Sequence, residues 1–344
     1  SQTPFLWGWG GLIIMKKFFL LATMFVAVLN LNAQRPMQVW KGNTYSQFIT
    51  TEVDSVTFLQ SPQGTLQECK DIHDTIIVHD TITKVDTVYV KDTVYISYNA
   101  FSVSATKMVN FAKGNLQYQA STKTWRFAEN QYDYIGRGNA NISDTYDGWI
   151  DFFGWGTGNN PTDASKDDSD YQKFVDWGTN TIGTDVPDSW RTLSKDEWYY
   201  IFFTRANASK LFGFATVNKV AGIIILPDNW TTPAEVTFTP STEKGLAATG
   251  DHYYNSKGDN YTHNTYALED WKKLENAGAV FLPAAGYRDG NKVDDVLYNA
   301  RYWSSTKNGV NAAYLLGFSD KSIYPQSSLS SHHGYTVRLV RDAK

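Results

Sequence analysis

Polar and apolar positions change period several times along this chain. Between residues 73 and 96 the period is six. His73-Asp-Thr-Ile-Ile-Val78, His79-Asp-Thr-Ile-Thr-Lys84, Val85-Asp-Thr-Val-Tyr-Val90 and Lys91-Asp-Thr-Val-Tyr-Ile96 repeat one another. Six is even, so equivalent positions share a face of an extended strand. Thr, Val, Ile and Tyr favour that conformation. Four such units would reach ~80 Å if fully extended, so residues 71–97 read as a stalk or spacer. A lone strand leaves its backbone unpaired. The stalk is therefore expected to pair with another chain, dock on the neighbouring domain, or stay mobile.

From about residue 100 the pattern becomes that of a packed domain. Phe101-Ser-Val-Ser104, Met108-Val-Asn-Phe111 and Leu116-Gln-Tyr118 alternate as strands, with Gly114-Asn115 as a turn. Residues 136–170 are rich in Gly, Asn and Asp and predict loops. Ser194-Lys-Asp-Glu197 is a capping box that opens a helix, and Trp198, Ile201 and Phe202 supply its core face. A second helix is predicted over about 266–276. Leu268, Trp271 and Leu274 lie along one side, and Gly278 is the stop. Val220–Leu226 and Ala279–Leu282 are continuous apolar runs of buried strands. Three strand-like runs follow, Tyr302–Thr306, Ala312–Phe318 and Gly334–Arg341, joined by loops rich in Tyr, Asn, Ser, Gln and His. Two helices, many short strands and long loops predict an α+β domain over 100–344.

The N-terminal third carries an address. Met15-Lys16-Lys17 is a positive n-region, Phe18–Leu29 an apolar stretch of 12 residues, and Leu31-Asn-Ala33 a small-residue cleavage point. Residues 15–33 therefore read as a secretory signal peptide. Twelve residues are too few for the ~20 that span a bilayer, so no transmembrane span is expected. Residues 1–14 precede Met15 and read as upstream translation or an artefact. Residues 34–70 form a small leader, with a short strand at Val53–Phe58. That strand resembles one found near the N-terminus of many secreted proteins of Gram-negative gut commensals.

Composition narrows the functional classes. The chain of 344 residues has 42% apolar and 15% aromatic residues, including 12 Trp and 21 Tyr, enough for a core and for an aromatic binding surface. Formal net charge is −4. Residues 1–33 hold two Lys and no acid, so the remainder carries −4 − 2 = −6. With no basic excess, a nucleic-acid partner is not expected. Cys69 is the single cysteine, so no intrachain disulfide is available.

Several motifs resemble a known family in their order. Trp190-Arg-Thr-Leu-Ser-Lys-Asp-Glu-Trp198, Phe281-Leu-Pro-Ala-Ala-Gly-Tyr-Arg288, Tyr302-Trp-Ser-Ser-Thr306 and Val337-Arg-Leu-Val-Arg341 are similar to landmarks of C-type-lectin-like domains. The relevant group is the formylglycine-generating-enzyme and FISUMP (major paralogous domain) type. Phe101–Ser104, Gly114–Tyr118, Phe153-Gly-Trp155 and Asp176-Trp-Gly178 resemble the first half of a secreted subfamily. The resemblance implies a C-type-lectin-like fold with its terminal strands together at a base and a loop-rich face opposite. It also implies that Trp190, Trp198, Trp271, Trp303 and Arg338 are scaffold.

Catalysis is not expected, and neither is a cofactor. Formylglycine-generating enzymes use active-site cysteines, and this domain has none. Leu226-Pro-Asp-Asn-Trp230 is the nearest string to a calcium-dependent sugar-binding motif and reads as a turn. Asp163, Asp167, Asp168 and Asp170 read as a solvated acidic loop, with calcium as the alternative. His73 and His79 lack a third ligand. Adjacent His332 and His333 would point to opposite faces of a strand, so no metal is expected.

The favoured expectation is a secreted or cell-surface ligand-binding protein. Its binding surface is expected from Tyr298, Asn299, Arg301, Tyr324, Gln326, Ser327, Ser328, Ser331, His332, His333 and Tyr335. These types dominate adaptable binding loops. The partner would be a protein or glycan on another cell, phage or host surface. The run Ser327–His333 also resembles the residue palette of retroelement-diversified proteins. The alternatives are a fimbrial or surface-assembly subunit that oligomerises through the hexad repeat, and a degenerate enzyme of the formylglycine-generating type.

Overall fold

The computed structural model describes residues 36–41, 44–49, 75–78, 94–97 and 99–343 apart from Asp259. The signal peptide at 15–33, the segment 1–14 and the strand read at Val53–Phe58 lie outside the described residues. Two compact units divide the chain, residues 1–71 and 72–344. In the first, Pro36–Lys41 and Thr44–Ile49 form an antiparallel hairpin, with Lys41 opposite Thr44. This hairpin lies within the leader expected over residues 34–70.

In the second unit two segments of the hexad repeat pair with each other. Thr75–Val78 pairs antiparallel with Val94–Ser97, so Ile76 faces Ile96 and Ile77 faces Tyr95. The first and fourth units thus supply each other's backbone partners. Pairing within the chain answers the hydrogen-bond demand that an isolated strand cannot meet, and it is a partner other than the second chain or the domain surface expected for the stalk.

Residues 99–343 are dominated by strands. Over all the described residues strand makes up 35% and helix 17%, in seven sheets of two to five strands. This overturns the expected α+β C-type-lectin-like class. The predicted helices do form, but they are short. Lys195–Tyr199 has the full reciprocal capping box, Ser194 accepting from the Glu197 amide and Glu197 from the Ser194 amide. It turns into a π-helix over Tyr200–Thr204 after five residues. Leu268–Asn276 runs nine residues and stops at Gly278, where φ is +96°. Elsewhere the β-branched and aromatic runs pair as hairpins. No helix among the described residues is long and apolar enough to cross a membrane.

Two sheets organise the core. In one, Thr265–Tyr266, Phe212–Val217, Val220–Ile225 and Val280–Pro283 lie side by side in that order. Asn218 and Lys219 both take positive φ in the tight turn between two of these strands, as a two-residue hairpin requires. The continuous apolar run is explained by burial on both faces. Ile223, Ile225 and Leu282 pack into one cluster with Trp198, Tyr302 and Phe318. Ile224, Ala215 and Phe281 pack oppositely with Trp271 and Leu274.

The other sheet has the order Ala247–Thr249, His252–Tyr254, Ser322–Ser330, Ala312–Ser319, Asn299–Asn308, all antiparallel. Its alternation also divides two clusters. Tyr302 and Leu316 face the first, while Trp303 and Leu315 face a second with Trp155, Trp177 and Tyr335. The expected scaffold residues Trp198, Trp271, Trp303 and Arg338 are buried; Trp190 is partly buried against the second cluster.

Val340–Asp342 closes the domain by pairing with Met108–Phe111. Just upstream, Ser331–Val337 runs irregularly through isolated bridges, Arg288 to Gly334, Phe153 to Tyr335 and Tyr302 to Thr336. This irregular crossing positions the site.

Candidate functional site

The site starts from a short hairpin. Tyr287–Asp289 pairs with Lys292–Asp294 across a turn in which Gly290 takes a φ of +56°. Arg288 points inward and is fully buried, donating to the Gly290 carbonyl at 2.7 Å and the Asp163 carbonyl at 3.3 Å. Side chains alternate along a strand, so Tyr287 and Asp289 share the opposite side. The Arg288 and Gly334 backbones exchange two hydrogen bonds of 2.9 and 2.8 Å. A Cβ at Gly334 would sit 2.8 Å from Arg288 Nε. Glycine there allows residues 332–335 to lie against this hairpin.

The two histidines sit in the turn before Gly334, not in a strand. Their rings therefore share a side, with centroids 4.3 Å apart. This corrects the expectation that they diverge. His332 is gripped twice by one oxygen, Asp168 Oδ1, which accepts from its backbone N–H at 3.0 Å and lies 2.9 Å from its Nδ1. His332 Nε2 is 3.8 Å from Asp289 Oδ1. His333 stacks on Tyr335 at 5.6 Å and 14° and meets the Tyr287 ring edge-on at 5.9 Å. Arg301 lies over Tyr287 at 4.2 Å and over Tyr335 at 5.6 Å. Lys166 Nζ contacts Asp289 Oδ1 at 3.1 Å.

Burial and charge set the protonation of these groups. Burial, aided by the neighbouring His332, pushes the His333 imidazole below its ordinary value despite the Asp289 carboxylate. Burial alone would raise Asp289, but Lys166 and both imidazoles outweigh it and hold the carboxyl low. The Tyr335 phenol is pushed up by burial. Burial thus disfavours the charged form of the His333 imidazole, while Lys166 beside Asp289 favours its carboxylate. Ligand atoms of Asp289, His332 and His333 all lie within 4.8 Å of one another, so these are the described residues best placed to hold a metal.

The eleven expected surface residues fall into separate places. Arg301, His332, His333 and Tyr335 converge here. Tyr335 is 1% exposed and Ser331 0% exposed; both were expected at the surface and are core. The reason is the bridged crossing of residues 331–337, which carries them under the sheet. Tyr324, Gln326, Ser327 and Ser328 were expected in a loop but belong to the strand Ser322–Ser330, whose alternation with the facing strand was not legible through Pro325. Tyr324 is exposed and stacks on His252 at 4.5 Å. Gln326 donates to Asp196 at 3.0 Å, and Ser328 accepts from Asn308 at 2.6 Å. Asn299 donates to Asp295 at 2.7 Å, beside the exposed Tyr298.

Tyr287, Asp289 and Lys166 were missed, and Asp168 was read only as part of an acidic loop. The Asp289-Gly290 pair is a turn signal that could have placed an acid at a hairpin tip. The acidic loop is otherwise committed to its own turns. Asp163 accepts from the Ser165 amide and Tyr171, and Asp167 from the Ser169 amide. Asp170 accepts from Ser165. Asp168 alone of the four turns to His332. Leu226–Trp230 is a turn as expected, with the Trp230 amide donating to Pro227; Asp228 pairs with the buried Arg205 at 2.9 Å.

Comparison with protein-family models, with curated proteins and with solved structures finds no match to this chain.

Proposed function

We propose that the chain is an exported, non-catalytic ligand-binding protein whose recognition patch is the cluster of Tyr287, Asp289, Arg301, His332 and His333, and whose ligand is a glycan. The observation that carries this reading is the convergence on one hairpin tip of aromatic rings, a stacked guanidinium and two carboxylates. Aromatic edges and faces pack on the C–H faces of a sugar, while carboxylates accept from its hydroxyls and an arginine donates to its oxygens. Tyr287, Asp289, Arg301, His332 and His333 are each partly exposed, so their rings and polar atoms can reach a ligand. Export rests on the n-region and apolar stretch at 15–33. The internal pairing of the hexad repeat offers its strands a partner without a second copy, which favours a binding role over assembly through the repeat.

The test is binding to a panel of immobilised neutral and acidic polysaccharides. The chain is expected to retain a subset. Arg301→Ala and Tyr287→Ala are each expected to weaken binding more than tenfold, ~1.4 kcal/mol, with the melting temperature little changed. Retention of no polysaccharide, or equal binding by both variants, overturns the reading.

A further inference from the structure

We infer that Asp289, His332 and His333 form a site for a divalent transition metal of the zinc class. This deepens the reading above, whose patch it shares, but it rests on its own geometry. Imidazole nitrogens and one carboxylate are the donor set that suits zinc, nickel and copper, whereas calcium and magnesium prefer oxygen throughout. Zinc with bonds near 2.0–2.2 Å needs ligand atoms roughly 3.4 Å apart. The present ligand atoms lie within 4.8 Å of one another, with His332 Nε2 and Asp289 Oδ1 at 3.8 Å. Contraction by about an ångström closes the site, a change that side-chain rotation can supply.

A second observation points the same way. Asp168 Oδ1 takes both the backbone N–H and Nδ1 of His332. That grip fixes the ring so that Nε2 is turned toward Asp289, 3.8 Å from its Oδ1. A carboxylate behind an imidazole is how metal-ligating histidines are oriented. His333 Nδ1 is buried without a hydrogen-bond partner. Lys166, now paired with Asp289, is 62% exposed and has a long flexible stem, so it can yield to a metal. Three protein ligands leave a fourth position for water or a ligand oxygen, which is where a sugar hydroxyl would bind.

The test uses the full chain, free of any affinity tag, stripped with a chelator and titrated with Co²⁺ as a visible probe. Saturation at one equivalent with a tetrahedral visible band, reversed by Zn²⁺, is expected. Asp289→Asn and His333→Ala should each weaken Co²⁺ binding at least tenfold. Asp168→Asn, at a positioning residue, should weaken it on the order of 10–100-fold and alter the band. Melting temperatures of the metal-free variants separate loss of the site from loss of the fold, and the partly exposed Asp289 keeps one variant foldable. No saturable binding by the wild-type chain overturns the proposal. So does binding undiminished in Asp289→Asn and His333→Ala, which would locate the metal elsewhere, as at His73 and His79. No glycan takes part, so failure here leaves the glycan reading to its own test.

Discussion

Burial sorts the aromatic residues of the last third into two kinds that look alike in sequence. Trp303 donates to the Phe153 carbonyl at 2.7 Å and packs on Tyr335 at 4.5 Å. Trp303→Ala and Tyr335→Ala are each expected to cost about 3–5 kcal/mol in urea unfolding, because each leaves a cavity. Tyr298 and Tyr324 are 50% and 38% exposed; their Ala variants should stay within about 0.5 kcal/mol. Asp151 behaves differently again. It is fully buried, and burial lifts its carboxyl from 3.8 to about 6 against the hydrogen bonds of Ile135 and Asn139. Between those values the folded form keeps a proton that the unfolded form has lost. Stability from this group therefore falls as pH rises through that window and is constant above it. At 1.36 kcal/mol per pH unit the full effect is about 3 kcal/mol. Unfolding free energies at about pH 4 and about pH 7 should show this loss, and Asp151→Asn should flatten it.

Short elements here depend on their ends. The helix Lys195–Tyr199 has only five residues, so its cap carries much of its stability. Arg191 adds a two-pronged ion pair to Glu197, at 2.9 and 2.7 Å. Ser194→Ala is expected to cost about 1 kcal/mol, measured as a shift of the urea midpoint at constant slope. This helix start was legible because a capping box is a local signal. So were the buried run Val220–Ile225 and the stop at Gly278, whose chemistry is contained in a few adjacent residues. The class of the domain was not legible. Helices of five and nine residues weigh little against strands whose pairing is decided by distant segments. The candidate site shows the same division. Arg301, His332 and His333 could be named from composition, whereas Asp168 and Asp289 reach them only through the Gly334–Arg288 bridge. Adjacent histidines diverge in a strand and converge in a turn, and which applies depends on contacts far away in sequence.

At the scale of the domain, residues 334–342 join segments that lie far apart in the chain. Val340–Asp342 pairs with Met108–Phe111. The Ala112 and Leu116 amides donate to Leu339 and Val337, and Arg191 exchanges two bonds with Val340. Buried Arg338 donates to the Ala112 and Phe281 carbonyls; burial lowers its guanidinium to about 10, and no acid pairs with it among the described salt bridges. Deleting residues 334–344 is expected to abolish the cooperative thermal transition of the domain over residues 99–343, since it opens the first and second clusters together. A fragment ending at 333 that still melts in one sharp transition would contradict this.

That same seam bears on the order of events in biosynthesis. Most hairpins of this domain pair neighbours in sequence and can form as they emerge. The stretch that unites them is made after all of them. Until residues 334–342 have left the ribosome, Phe153, Trp303 and the sheet edge at Met108–Phe111 lack their covering strand. The domain can thus be sealed only after translation has passed residues 334–342.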